Sequence, residues 1–222
     1  AATKTEVSIP SSALQELGGE TGASVIVSTP VASVTIPNGG LDSLSSGNGT
    51  VTVAAEKVDN TVELSLTVDG APVASIPGGV TLTVPVSNPT PGTVAVLVHE
   101  DGTREVIRKS KTGQNSITAP LSGSAKLEIV DNSKQFDDVT ASNWYAGAAA
   151  FVSSRELLQG VSETKFAPAE PMTRGMMATV LYRLENTPKT DGQKVFDDVA
   201  TGQWYTPAIT WAAANGIVCG YR

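Results

Sequence analysis

From Thr5 to Val130, apolar and polar side chains alternate in short runs broken by turn residues, the period-two pattern of half-buried strands. Thr5 to Pro10, Ser24 to Val27, Ala32 to Ile36, Thr50 to Lys57 and Thr61 to Val68 follow it. So do Val80 to Val86, Val94 to His99, Arg104 to Lys109, Ser116 to Ala119 and Ala125 to Val130. Thr29-Pro30, Asp69-Gly70 and Asp101-Gly102 supply tight turns, and Gly47-Asn48-Gly49 a loop. Short helices are predicted at Ser11 to Leu17, with a serine available as cap, and at Leu41 to Leu44. About ten short strands with turns between them predict an antiparallel all-β, sandwich-like domain over residues 1–132.

Past Asn132 the period lengthens to that of amphipathic helices. Asn143 is placed to cap a helix from Trp144 towards Leu157, with Gly160 after its end. Thr173 precedes a second helix through Met176 to Leu184, which should stop before Pro188. After a polar linker from Thr187 to Lys194, a phrase already used returns. Phe136-Asp137-Asp138-Val139 and Trp144-Tyr145 reappear as Phe196-Asp197-Asp198-Val199 and Trp204-Tyr205, an offset of 60 that also relates Phe151 to Trp211, Leu157 to Ile217 and Gly160 to Gly220. Matched aromatic, acidic and glycine positions at one period mark a repeated unit that cannot bury its apolar face alone. The chain is therefore predicted to be multidomain, the β domain being followed by one complete helical repeat over 133–190 and a partial one over 191–222.

Composition supports the division, because all eleven aromatic residues lie at or after Phe136. The β domain must build its core from aliphatic side chains alone, and it lacks the flat aromatic faces that commonly meet sugars. The net charge of -7 is dispersed, with no basic run, which argues against nucleic acid and against an anionic membrane surface. No apolar run approaches the roughly 20 residues needed to span a bilayer, so no membrane insertion is expected. A single cysteine, Cys219, gives neither an internal disulfide nor a metal cluster. Ala1 opens no basic and apolar leader, so any signal peptide has been removed or was never included.

The repeated phrase, together with Phe166-Ala167-Pro168 and Met172-Thr173-Arg174, resembles the S-layer homology (SLH) repeat of bacterial surface proteins. That resemblance implies a helical spindle of repeats, an extracellular place on the bacterial cell wall or S-layer, and non-covalent anchoring through pyruvylated secondary cell-wall polysaccharide. It implies no catalysis and no cofactor. Carried over by position, Arg174 beside Thr173 would meet a pyruvate carboxylate, for which a planar guanidinium is suited. Asp138 and Asp198 would accept sugar hydroxyls or hold a loop, Trp144 and Trp204 would pack beside the ligand, and Gly160 and Gly220 would leave backbone amides accessible. Further SLH repeats, or self-association through the incomplete repeat, would complete the assembly, since the Ile209, Trp211 and Ile217 face is left short of a partner and self-association or disorder is expected near Arg222. One departure stands out. The family commonly reads Thr-Arg-Ala-Glu where this chain has Thr173-Arg174-Gly175-Met176, so Met176 is expected to remove the reciprocal half of a capping box. The β domain resembles, more loosely, aromatic-poor β domains that precede such repeats in surface proteins of Gram-positive gut bacteria.

Simpler readings stand beside these. Trp144 and Trp204 also read as core anchors, Asp138 and Asp198 as loop caps, and Arg174 as a first-turn surface residue. Met172, Met176 and Met177 read as interface filler, Cys219 as a small buried hydrophobe, and His99 as a solvent-facing residue at a hairpin edge. For function, the alternatives to wall anchoring are an adhesive or partner-binding β module, or a structural spacer for an enzyme absent from the chain, with the repeats as tether.

Overall fold

The computed structural model describes residues 3–18, 20–45, 49–191, 193 and 195–220, and divides the chain into two compact units, Ala1–Asn132 and Ser133–Arg222. The first unit contains β1 (Thr3–Pro10), α1 (Ser11–Gly18), β2 (Ser24–Ser28), β3 (Ser33–Pro37), α2 (Asn38–Leu44), β4 (Thr50–Val58) and β5 (Thr61–Val68). It continues with β6 (Ala71–Pro72), β7 (Val80–Pro85), β8 (Thr93–Val98), β9 (Arg104–Val106), β10 (Lys111–Thr112), β11 (Ser116–Leu121) and β12 (Ala125–Asp131). One antiparallel sheet runs β1-β4-β5-β12-β8-β9 with β6 beside β5, and a second runs β10-β11-β7-β3-β2.

Alternation sets the register. In β5, Val62, Leu64 and Leu66 are buried while Glu63 is exposed, and Leu64 lies opposite Ala55 of β4 and Ala125 of β12. The inward residues of both sheets, with Leu14 of α1 and Leu41 and Leu44 of α2, form one cluster containing no aromatic side chain. The hairpin turn at Asp69-Gly70 places both residues at positive φ, 51° and 80°, as a two-residue turn of this hand requires. Pro120 sits inside β11, where it pairs with Thr81 on one side. β10 covers only Thr118 and Ile117 on the other, so no ladder bond is lost at the proline.

Three details depart from the pattern. α2 begins at Asn38 and absorbs Gly39 and Gly40, because a side chain at Gly40 would come within 2.7 Å of Ile76 and 3.1 Å of Ile36. β9 ends at Val106 rather than Lys109, and the two-residue β10 is too short to leave a period of its own. The expected Gly47-Asn48-Gly49 loop falls largely outside the described residues, as does Arg222.

The second unit holds α3 (Ala146–Ser154), α4 (Arg174–Leu184) and α5 (Thr206–Ala214). α3 and α5 are related by the 60-residue offset at both ends. α3 is shorter than predicted, and Asn143 does not cap it: its carboxamide oxygen accepts from the Thr140 backbone N–H at 2.7 Å and closes a turn one step earlier. Gly160 is not the terminating residue either. The left-handed position is Glu156 (φ 57°), matched by Gly216 (φ 68°). Both helices end in the same pair of bonds, Leu157 N–H to Val152 C=O with Glu156 to Ser153, and Ile217 to Ala212 with Gly216 to Ala213.

α4 packs on α5 through Ala178, Ala208 and Ala212, whose small side chains let the helices approach, with the Tyr182 and Trp211 rings 5.7 Å apart alongside. Ile209 and Trp211, expected to lack a partner, therefore have one in α4, while Ile217 stays exposed. α4 stops at Leu184 with Asn186 and Thr187 both at positive φ, 62° and 50°. A β-branched residue is poorly suited to that conformation, so Thr187→Gly is expected to stabilise the unit by about 0.5–1 kcal/mol. The midpoint of urea unfolding should rise accordingly.

Candidate functional site

The 60-residue register makes two half-sites, and the structure covers one of them with α4. Phe196, Asp198, Val199, Trp204, Tyr205, Ile209, Val218, Cys219 and Gly220 from the second copy face Thr173, Arg174, Gly175, Met176 and Ala178 at the start of α4. Together they line a cleft of about 550 Å³. Five of the predicted residues, Thr173, Arg174, Asp198, Trp204 and Gly220, meet here. Asp138, Trp144 and Gly160 belong to the equivalent half-site of the first copy and do not line this cleft.

The α4 terminus is capped more fully than expected. Thr173 Oγ1 accepts from the Met176 backbone N–H at 3.2 Å, and the Thr173 N–H donates to Met176 Sδ at 3.5 Å. The thioether thus keeps the reciprocal half of the capping box, because a long side chain with a weak sulfur acceptor reaches where a glutamate would. Gly175 lies 3.6 Å, measured from an added Cβ, from Tyr205 of the second copy, ordinary contact that leaves α4 close to the other wall.

Arg174 is exposed at the first turn of α4, where its charge opposes the helix dipole. One Nη2 N–H donates to the Cys219 backbone carbonyl at 2.7 Å, which fixes the guanidinium across the cleft. Cys219 is itself exposed, contrary to the reading as a buried hydrophobe, since its segment lies past the end of α5. Met172 and Met177 are likewise exposed, and only Met176 is half-buried, at the cap.

The two tryptophans are not core anchors. Trp144 is 93% exposed and Trp204 61% exposed, each held edge-on by the next residue, Tyr145 at 5.6 Å and Tyr205 at 5.2 Å. Both rings present an open apolar face to solvent, and that of Trp204 lies at the cleft.

Asp138 acts as a loop cap. Its carboxylate accepts from the backbone N–H groups of Phe166 at 2.9 Å and Ala167 at 2.7 Å. The Phe166 bond is the main cause that holds its pKa below the usual carboxylate value. The contribution is present above the unfolded value, about 3.9, and is lost as pH falls through the lower folded value. Asp138→Asn should therefore melt at a lower temperature than wild type at pH 6, and the gap should shrink as the pH falls below the unfolded value of about 3.9. Asp198, its counterpart, faces the cleft with no hydrogen-bond partner among the described residues.

A buried arginine was not anticipated. Arg155 is 0% exposed, with Cζ 3.7 Å from the Phe151 ring centroid and Nη1 donating to Phe151 C=O at 3.3 Å and Ser154 Oγ at 3.2 Å. His99, by contrast, is exposed at the β8–β9 hairpin and pairs with Glu105 at 3.2 Å. Among the described residues, no group of three or more His, Cys, Asp or Glu is placed to hold a metal.

The S-layer homology domain model matches residues 135–178 and 195–221. The second unit is an S-layer homology domain. An amylopullulanase of Thermoanaerobacterium thermosulfurigenes is 27% identical over 214 residues, 90% of this chain and 11% of its own length. An S-layer protein of Bacillus anthracis is 27% identical over 47% of this chain, and a cellulosome-anchoring protein of Acetivibrio thermocellus 32% identical over 47%. These matches span 13% and 25% of the relatives' own lengths. No solved structure matches. The S-layer homology match places the protein at the cell surface, associated with the cell wall, and no helix among the described residues is long and apolar enough to cross a membrane.

Proposed function

We propose that the chain attaches its protein non-covalently to the cell wall by binding pyruvylated wall polysaccharide in the α4–α5 cleft, without catalysis. The observation that carries this reading is Arg174, a cation at a helix N-terminus, held by Cys219 beside an exposed tryptophan and the Asp198 carboxylate, which has no hydrogen-bond partner among the described residues. An anionic ligand group here would offset the unfavourable charge at the α4 dipole and gain charge-assisted hydrogen bonds from the guanidinium. Trp204 offers a face for a sugar ring, and Asp198 accepts from its hydroxyls. Relatives named as S-layer and cellulosome-anchoring proteins share this domain. Those named as enzymes, an amylopullulanase, a xylanase and an exoglucanase, match over only 11%, 9% and 8% of their own lengths.

For the β unit we favour a connecting role. A match over 90% of the chain must extend well beyond residues 133–222, so the amylopullulanase carries a stretch similar to the β unit next to its repeats. The anchoring test is a pull-down on purified wall glycan before and after mild acid removal of pyruvate. Retention on the first and loss from the second is expected, and equal retention on both contradicts the reading.

A further inference from the structure

Every sheet in the β unit ends in strands with open backbone edges, and all but one are guarded. β1 carries Lys4, Glu6 and Pro10, β9 carries Arg104 and Glu105, β10 has two residues and a lysine, and β6 has two residues and a proline. Charge, proline and brevity are the usual devices that stop an edge from pairing with another chain. β2 has none of them. Its sequence is Ser24-Val25-Ile26-Val27-Ser28, it pairs among the described residues only with β3, and Ile26 is 63% exposed.

We propose that β2 is the docking edge for a second copy of this chain, paired antiparallel about a two-fold axis through Ile26. The strand reads the same in both directions, so such an axis sets Ser24 against Ser28 and Val25 against Val27 of the second copy. The backbone phase fits. Thr29 N–H donates to Ala32 C=O at 2.9 Å, so the alternation of the ladder gives Val27 and Val25 the bonds to β3. The N–H and C=O groups of Ser24, Ile26 and Ser28 then point outward, enough for about six hydrogen bonds with the second copy's strand. Ile26 meets its equivalent on the outer face, and the two valines extend the inner one. Charge permits it too, because no charged residue occurs between Glu20 and Asp42.

Two five-residue strands cover less than the roughly 1,200 Å² of a stable interface, so the dissociation constant should be on the order of 0.1–1 mM. Such pairing becomes effective where copies are concentrated on one surface. This inference is independent of glycan binding. It is tested by sedimentation velocity of the full chain from about 10 μM to about 2 mM. A monomer–dimer equilibrium is expected, weakened at least tenfold by Ile26→Lys and unchanged by Ile217→Lys. In a Cys219→Ser background, Ile26→Cys should give a disulfide-linked dimer under mild oxidation, since paired Cα atoms lie about 5.5 Å apart, and Glu6→Cys on β1 should not. A monomer throughout, or a dimer unaffected by Ile26→Lys or abolished by Ile217→Lys, overturns the proposal.

Discussion

Arg155→Ala is expected to destabilise the S-layer homology unit by about 3 kcal/mol, the combined loss of a buried side chain's packing and its contact with the Phe151 ring. Burial pulls the guanidinium pKa down to about 10, still far enough above neutrality that the group is charged in the folded protein. The desolvation opposes folding and is offset by the ring face and by the Phe151 and Ser154 oxygens. Lysine keeps the charge but lacks the planar fork, so Arg155→Lys should lose about 1–2 kcal/mol. The repeat supplies its own control. Asn215 holds the same position in the second copy and makes the corresponding bond, to Trp211 C=O at 2.8 Å, but is exposed. Asn215→Ala should cost no more than about 0.5 kcal/mol. Urea unfolding followed by tryptophan fluorescence reads this unit selectively, because all the tryptophans lie in it.

Gly160→Ala should be comparably damaging, at about 3 kcal/mol. Gly160 has φ +78°, and a Cβ there would lie 2.5 Å from the Lys165 carbonyl oxygen and 3.0 Å from the Phe136 ring. The carbonyl accepts the Val161 N–H at 2.8 Å, so it cannot withdraw without opening the loop. Gly220 has no left-handed φ, and a Cβ there would approach only the Phe196 ring edge, at 3.3 Å. Gly220→Ala should therefore cost less than half as much in the same unfolding measurement. Gly160 thus serves the loop through its backbone, whatever its amide contributes to a ligand.

The strands and the start of α4 were legible because each rests on a local pattern, whereas the thioether half of the α4 cap was not. Alternation with aliphatic inward residues is enough to mark β4, β5 and β12, and Thr173 declares a helix start. Helix ends were less legible, since the left-handed Glu156 carries no sign of its conformation and only its counterpart Gly216 hints at it. For the candidate site, the aligned phrases named individual residues but not their grouping. That Arg174 of one copy crosses to the Cys219 carbonyl of the next is a tertiary fact that no period encodes. The exposure of Trp144 and Trp204 was hidden for the same reason, because an aromatic residue before a helix reads equally as anchor or as open face. Arg155 was visible only as a charge at a helical position, and nothing in its spacing announced burial.

The most direct test of the anchoring account is titration calorimetry of the full chain against purified pyruvylated wall polysaccharide, comparing wild type with Arg174→Ala. Loss of charge-assisted bonds from one guanidinium should weaken binding by about 10- to 100-fold while leaving the unfolding midpoint nearly unchanged. Binding of Arg174→Ala as tight as that of wild type would contradict the account.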